Sequence, residues 1–122
     1  MKKFDLAGTL MHKDTPLADF VIKDGVAVEF KQLSTETSLF PFEMIDHPTG
    51  STLVDALLAR VVPETRQGLL ERLEKVGIHG YNLSEILRFQ NASCFDDKNW
   101  VRFSDGPQSW KELRMRLGYT TY

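Results

Sequence analysis

The chain has almost no cysteine, no long apolar run and no excess of charge of either sign. Cys94 is the only cysteine among 122 residues, which excludes an intramolecular disulfide and any C-x-x-C metal or redox motif. No stretch approaches the roughly 18 consecutive apolar residues that a membrane-spanning helix needs. Asp5, Thr9 and His12 interrupt the apolar positions of the opening segment, unlike a signal peptide. We therefore expect a soluble protein of the cytoplasm, a reducing compartment in which thiols stay free.

Charge and glycine spacing exclude two further classes of protein. Fifteen basic and seventeen acidic side chains leave a formal charge of -2, and neither sign forms a block. Proteins that bind nucleic acid through its phosphates usually carry a basic stripe, so we expect no nucleic-acid partner. The eight glycines are scattered and form neither a phosphate-binding loop nor a dinucleotide fingerprint. We expect no cofactor.

The spacing of apolar residues predicts an α+β fold. A chain of this length builds one core, so residues 1–122 should form a single domain. Apolar residues alternate with a period of two over residues 1–45 and recur with a period of about 3.6 over residues 51–90. Residues 99–118 combine a strand with a helix. The expected architecture is a small N-terminal antiparallel sheet packed with a cluster of three to four short helices.

Turn signals divide the N-terminal part into three predicted strands. Asp24-Gly25 is typical of a two-residue hairpin, because both central positions of a type I′ turn need a positive φ. Asp14-Thr15-Pro16 indicates a looser turn. Residues 31–50 contain Pro41 and Pro48 and are predicted to be a loop with at most a short strand or one helical turn, although their apolar run suggests burial. The predicted strands are residues 4–10, 17–22 and 26–30.

Helix signals follow from Ser51 onward. A first helix carries Leu53, Leu57 and Val61 on one stripe and stops at Pro63. A second is predicted over residues 64–76, with Gly77 as its terminator.

Two capping signals mark the later helices. A third helix should begin near Asn82 or Ser84, with Glu85 completing a possible capping box. Residues 100–103 read as a strand. Ser109 and Glu112 form a capping box that opens a last helix.

The residue types that could carry chemistry do not converge in the sequence. His12, His47 and His79 are far apart, and a zinc site formed by them with Cys94 would have no recognisable spacing. Asp96-Asp97 resembles a carboxylate pair, but adjacent loop residues usually point apart, and a solvated turn explains them as well. We therefore predict no catalytic residue and no metal ligand.

The arginines and tryptophans have ordinary structural interpretations beside functional ones. Arg60, Arg66, Arg72 and Arg88 could line one face, but we interpret them as the polar side of amphipathic helices, neutralised by nearby glutamates at 64, 71 and 74. Trp110 is assigned to the core. For Trp100 both a core position and a position in a binding surface stay open, because aromatic residues are enriched at binding hot spots.

The middle of the chain resembles the N-terminal region of HipA-type serine/threonine kinases, the toxins of a bacterial toxin–antitoxin class. In that family apolar pairs, an Asp, two leucines and a proline are followed by an arginine with spaced leucines, a glycine, a short helix and a cysteine. The matching residues are Leu53, Val54, Asp55, Leu57, Leu58, Pro63, Arg66, Leu70, Leu73, Gly77, Ile78, Ile86, Leu87 and Cys94.

Other segments resemble short HipA-like proteins, and together the matches span most of the chain. Residues 10–16 are similar to their opening Leu-Met-His-Lys-Asp-x-Pro run, and residues 99–101 to an aromatic-rich strand. A Pro-x-Ser/Thr-Arg-x-Gly-Leu motif is matched by Pro63, Thr65, Arg66, Gly68 and Leu69. The Gly-rich ATP loop, catalytic Asp and metal-binding motif of the kinases lie downstream of the matched region. The resemblance therefore implies no kinase activity for this chain.

These observations lead to a hypothesis of a non-catalytic interaction module. The resemblance implies a detached N-terminal subdomain that docks on a HipA-like kinase, as an antitoxin or regulator. The alternatives are a phage- or mobile-element-type inhibitor of an unrelated protein, and a small enzyme built on His12, Asp96 and Asp97. A homodimer through an open sheet edge also stays open. An exposed apolar patch should mark the docking surface, and its predicted partner-binding residues are Arg66, Arg88, Trp100 and Phe103.

Overall fold

The computed structural model describes residues 4–61, 68, 71, 74–75, 77, 82–93 and 98–117, and it has the expected α+β fold. In chain order the elements are β1 (Leu6–His12), β2 (Thr15–Lys23), β3 (Val26–Gln32), two 3-10 turns (Thr37–Leu39 and Phe42–Met44), α1 (Gly50–Leu58), α2 (Leu83–Phe89), β4 (Asn99–Arg102) and α3 (Trp110–Leu117). The predicted helix over residues 64–76 lies mostly outside the described residues. Gly77, its expected terminator, has a φ of 87°.

The four strands form one antiparallel sheet in the order β3-β2-β1-β4. The predicted β2–β3 hairpin is confirmed, because Asp24 and Gly25 have φ values of 51° and 78°. The first turn was placed wrongly by one or two residues. It lies at Lys13 and Asp14, while β2 begins at Thr15 and contains Pro16. Pro16 lies outside the residues of β2 that pair with β3, which end at Ala18. Its lack of an N–H therefore removes no hydrogen bond between β2 and β3.

The two faces of the sheet carry separate apolar clusters. Residues from β1, β2, β4, α1 and α2 share the main core on one face, with Leu10, Leu17, Leu53, Leu57 and Val101 fully buried. The opposite face is covered at the β1–β4 end by α3, where Met11, Trp100, Trp110 and Leu113 form a second cluster. Trp110 thus lies in the core as predicted, and so does Trp100.

Local capping explains where the helices begin. Thr49 caps α1, and Thr49 and Thr52 form a reciprocal capping box. For α2, the Asn82 side chain accepts a hydrogen bond from the Glu85 N–H, as the sequence predicts. The first helix ends at Leu58, one turn before the predicted stop near Pro63.

Helix α3 is fixed to the sheet by polar groups at its first turn. Ser109 Oγ accepts a hydrogen bond from the Glu112 N–H at 3.2 Å, which confirms the predicted cap. Asp14 Oδ1 in the β1–β2 turn accepts one from the Trp110 N–H at 2.8 Å. A carboxylate at a helix N-terminus satisfies an otherwise unpaired donor and suits the helix dipole. The helix is therefore attached to the hairpin 96 residues earlier in the chain.

The helices of the described segments are short. The longest, α1, has nine residues. Within the described part of the chain, no helix has the length and apolar character needed to cross a bilayer.

Candidate functional site

A cavity of about 320 Å³ opens between the C-terminal part of α2 and the turn that follows β4. We call it the Arg88 groove. Its lining combines aromatic rings with charged side chains of both signs, and consists of Gly77, Glu85, Arg88, Phe89, Phe103, Asp105, Gly106 and Arg116.

Arg88 is held in the groove from two sides. Its Nη2 donates to both carboxylate oxygens of Asp105, at 2.8 and 2.7 Å. Its guanidinium carbon also lies 4.6 Å from the centre of the Phe103 ring, within the range of a cation–π contact. The side chains of Arg88 and Asp105 are 44% and 69% exposed, so solvent screens the ion pair and we expect it to contribute no more than about 1 kcal/mol to stability. Its main effect is to orient the guanidinium.

A second arginine closes the other side of the groove. Arg116 Nη2 donates a hydrogen bond to the Phe89 carbonyl at 3.0 Å. This carbonyl belongs to the last turn of α2, where helical carbonyls lack intrahelical partners and a positive charge suits the dipole. Phe89 is 46% exposed and lines the groove together with these two arginines. It is the apolar group that the groove presents to solvent.

The floor of the groove is fixed by the chain reversal after α2. Asn91 is fully buried and has a φ of 53°, a left-handed conformation that asparagine tolerates better than most residues. Its Nδ2 donates to the Val101 carbonyl at 3.1 Å, and its carbonyl accepts from the Val101 N–H at 2.8 Å. Both bonds attach the end of α2 to the outer edge of β4. Phe103, which follows β4, is thereby brought beneath Arg88.

The charges of the groove balance. Arg88 and Arg116 face Glu85 and Asp105, two of each sign, so the lining has no net formal charge. Such a surface suits a protein segment with an apolar side chain and polar groups around it, more than it suits a strongly charged ligand. Among the described residues, no three His, Cys, Asp or Glu side chains lie together where they could hold a metal ion.

The four residues predicted to bind a partner have different positions. Arg88 and Phe103 both line the groove, but Phe103 is only 3% exposed and serves as its floor. Trp100 is fully buried on the opposite face of the sheet, where its Nε1 donates to the Lys13 carbonyl at 2.8 Å. An exposed patch around Trp100 and Phe103 is therefore not present in this structure. Arg66 lies outside the described residues.

Six of the eight lining residues were not predicted as binding residues, and Phe89, Asp105 and Arg116 are among them. Asp105 belongs to the turn after β4, and Phe89 is the last residue of α2. Nothing local in the sequence brings these three residues together, because the reversal at Asn91 does so.

Of the four arginines interpreted as a solvated face, the structure describes Arg60 and Arg88: Arg88 is exposed, whereas Arg60 is partly buried. Arg88 pairs with Asp105 in the turn after β4. Arg60 is partly buried and donates to the carbonyls of Ala92 and Asn99, at 3.1 and 3.4 Å. It joins the end of α1 to the segments on either side of residues 94–97. These arginines thus make structural contacts across elements.

The remaining candidate groups are dispersed or undescribed. His12 ends β1 and is partly buried, whereas His47 is exposed in the loop before α1. His79, Cys94, Asp96 and Asp97 lie outside the described residues.

Comparison of the chain with protein-family models, with curated proteins and with solved structures finds no match to any of them.

Proposed function

We propose that this chain is a non-catalytic protein-interaction module that docks on a HipA-like kinase, as an antitoxin or regulator, in the cytoplasm. The residue pattern from Leu53 to Cys94, with the opening run of residues 10–16, supports the choice of partner. No residue of that pattern is a catalytic residue of the kinases it resembles. The function would therefore be exerted by contact.

The observation that carries the proposal is an exposed phenylalanine, Phe89, in a groove that two oriented arginines also line. Aromatic and arginine side chains are enriched at the energetic centres of protein interfaces. Arg88 is already positioned by Asp105 and Phe103, and Arg116 by the Phe89 carbonyl. Because these side chains are ordered before binding, less conformational entropy is lost when a partner covers them.

The size of the groove indicates what part of a partner would enter it. A volume of about 320 Å³ has room for one or two side chains, at the low end of the roughly 300–1,000 Å³ of small-molecule sites. We expect an apolar side chain of the partner to contact Phe89, and polar groups next to it to reach Arg88 or Glu85.

Two exposed phenylalanines allow a matched test. Phe89 lies in the groove, and Phe42 is 85% exposed in the second 3-10 turn, outside the groove lining. We expect Phe89→Ala to weaken binding to a purified HipA-like kinase by about tenfold or more, as truncation of a hot-spot aromatic does. Phe42→Ala should leave the affinity within about twofold of the original chain. Isothermal titration calorimetry measures both, and inhibition of kinase autophosphorylation gives a second readout.

The outcomes distinguish the alternatives. Loss of binding with Phe42→Ala but not with Phe89→Ala would place the docking surface elsewhere on the chain. The chain could instead fail to bind HipA-like kinases and capture one unrelated protein from native lysate. That result would support the alternative hypothesis, in which the chain inhibits or regulates a different protein. Turnover of a nucleotide or metabolite by the purified chain would support the small enzyme and contradict the proposal.

A further inference from the structure

The edge strand β3 has a neighbour on one side only within the described part of the chain. Its other side carries backbone groups without a strand partner, next to exposed aliphatic side chains. Val26 and Val28 are 52% and 54% exposed, and Leu33, directly after the strand, is 43% exposed. An uncovered edge with β-branched residues is a template for pairing with another strand.

Two opposite charges define the centre of this strand. Glu29 and Lys31 are both exposed and lie two residues apart, so they project from the same face of the sheet. In the sheet register Lys31 lies opposite Asp19 of β2, and Glu29 lies opposite Val21. A shift between Val21 and Ile22 makes Val28 a bulge, and the strand is regular from Glu29 onward.

We propose that β3 pairs antiparallel with β3 of a second copy of this chain, about a two-fold axis at Phe30. Glu29 of each copy then lies opposite Lys31 of the other, which gives two identical ion pairs across the axis. An axis at Glu29 or at Lys31 would instead place like charges opposite each other, which is unfavourable. A shift of the pairing by one residue would place the α1-covered faces of the two sheets on opposite sides of the joint sheet. Charge complementarity therefore selects both the partner and the register.

The resulting assembly joins two four-stranded sheets into one of eight strands. The same register brings the exposed Val28 next to Gln32 and Leu33 of the second copy. The contact is short, because regular pairing covers little more than residues 28–32. We expect a weak dimer, in the class that buries less than about 1,200 Å². The Arg88 groove lies beyond β4 at the opposite sheet edge, so both grooves stay accessible and the inference stands independently of the proposed function.

Charge reversal at the two positions tests the pairing. We would measure the dissociation constant by sedimentation velocity over a concentration series for the original chain, Glu29→Lys, Lys31→Glu and an equimolar mixture of the two variants. Each variant alone places like charges at both symmetry-related pairs, so we expect its dimer to weaken by about tenfold. The mixture restores two opposite-charge pairs in a heterodimer and should regain the original affinity.

Exposed positions make these variants tolerable to the fold, and circular dichroism melting checks that they stay folded. Lys31→Glu could unfold because it lies opposite Asp19 on the neighbouring strand. In that case two other measurements replace it: Lys31→Ala alone, and Glu29→Lys mixed with the original chain. We expect weaker association than that of the original chain in both. The competing explanation is that Glu29, Lys31 and the bulge keep the edge from pairing. A monomeric original chain at every concentration, variants that dimerise unchanged, or a mixture that fails to recover would each overturn the proposal.

Discussion

The two edge strands of the sheet, β4 and β3, differ in how far other parts of the chain cover them. At β4, Asn91 forms hydrogen bonds with both the N–H and the carbonyl of Val101, and Arg60 donates to the Asn99 carbonyl. Three of its four residues, Asn99, Trp100 and Val101, are buried. At β3 no residue is buried, and its exposed residues include Val26, Val28, Glu29 and Lys31. The covered edge supports the Arg88 groove, whereas the β3 edge has no further strand beside it among the residues that the structure describes.

The largest expected effect contrasts one side chain from each edge strand. Trp100→Ala removes a fully buried ring from the cluster with Met11, Trp110 and Leu113, and should lower the free energy of unfolding by about 3–5 kcal/mol. Val28→Ala, on the exposed edge, should change it by no more than about 0.5 kcal/mol. Urea denaturation followed by fluorescence and circular dichroism measures both. Equal losses would mean that the two edges do not differ in stability.

The cover of the β4 edge can be removed at Asn91. Asn91→Ala leaves the Val101 carbonyl without its side-chain donor and keeps a left-handed φ, so we expect a loss of about 2–3 kcal/mol. Asn91→Gly removes the same hydrogen bond but tolerates the backbone, and should lose about 1 kcal/mol less. Denaturant titration gives the two values. If they are the same, the backbone conformation contributes nothing measurable.

The smallest expected effect on stability comes from the ion pair between Arg88 and Asp105. Asp105→Asn keeps the shape of the side chain but removes the charge that orients Arg88, and should lower stability by about 0.2–1 kcal/mol. The difference from the original chain should shrink in 1 M salt, because exposed charges are then screened over about 3 Å. A loss above 2 kcal/mol that persists in salt would show that Asp105 is part of the structural core.

Features set by neighbouring residues were predictable from the sequence. The Asp24-Gly25 turn and the Asn82 and Ser109 caps follow from interactions within four residues of the chain, and all three are confirmed. The three strands were visible in the sequence for the same reason. The helix start was predicted within one residue, at Ser51 instead of Gly50, but its Thr49 cap was not, because a Thr–Thr capping box lacks the Glu or Gln that marks most such boxes.

Features set by distant pairing were not predictable. Trp100 is buried because β4 pairs with β1, where it lies opposite Met11, 89 residues earlier. The contact of Arg88 with Phe103 depends on the reversal at Asn91, and no periodicity reveals it. Arg88 and Phe103 were identified as candidates from residue type, whereas the role of Phe103 as a buried floor needed the tertiary structure.

The return of β4 to β1 has a consequence for the order of folding. The β1–β2–β3 meander needs only contacts within residues 6–32, so it can form early and at little cost in loop closure. The β4 edge requires contacts such as Trp100 to Lys13, which are 87 residues apart. We therefore expect β4 and the residues that follow it to dock last. During synthesis the chain would then expose the β3 edge before the Arg88 groove has formed. A partner could bind at the groove only after α3, which contributes Arg116, has been synthesised.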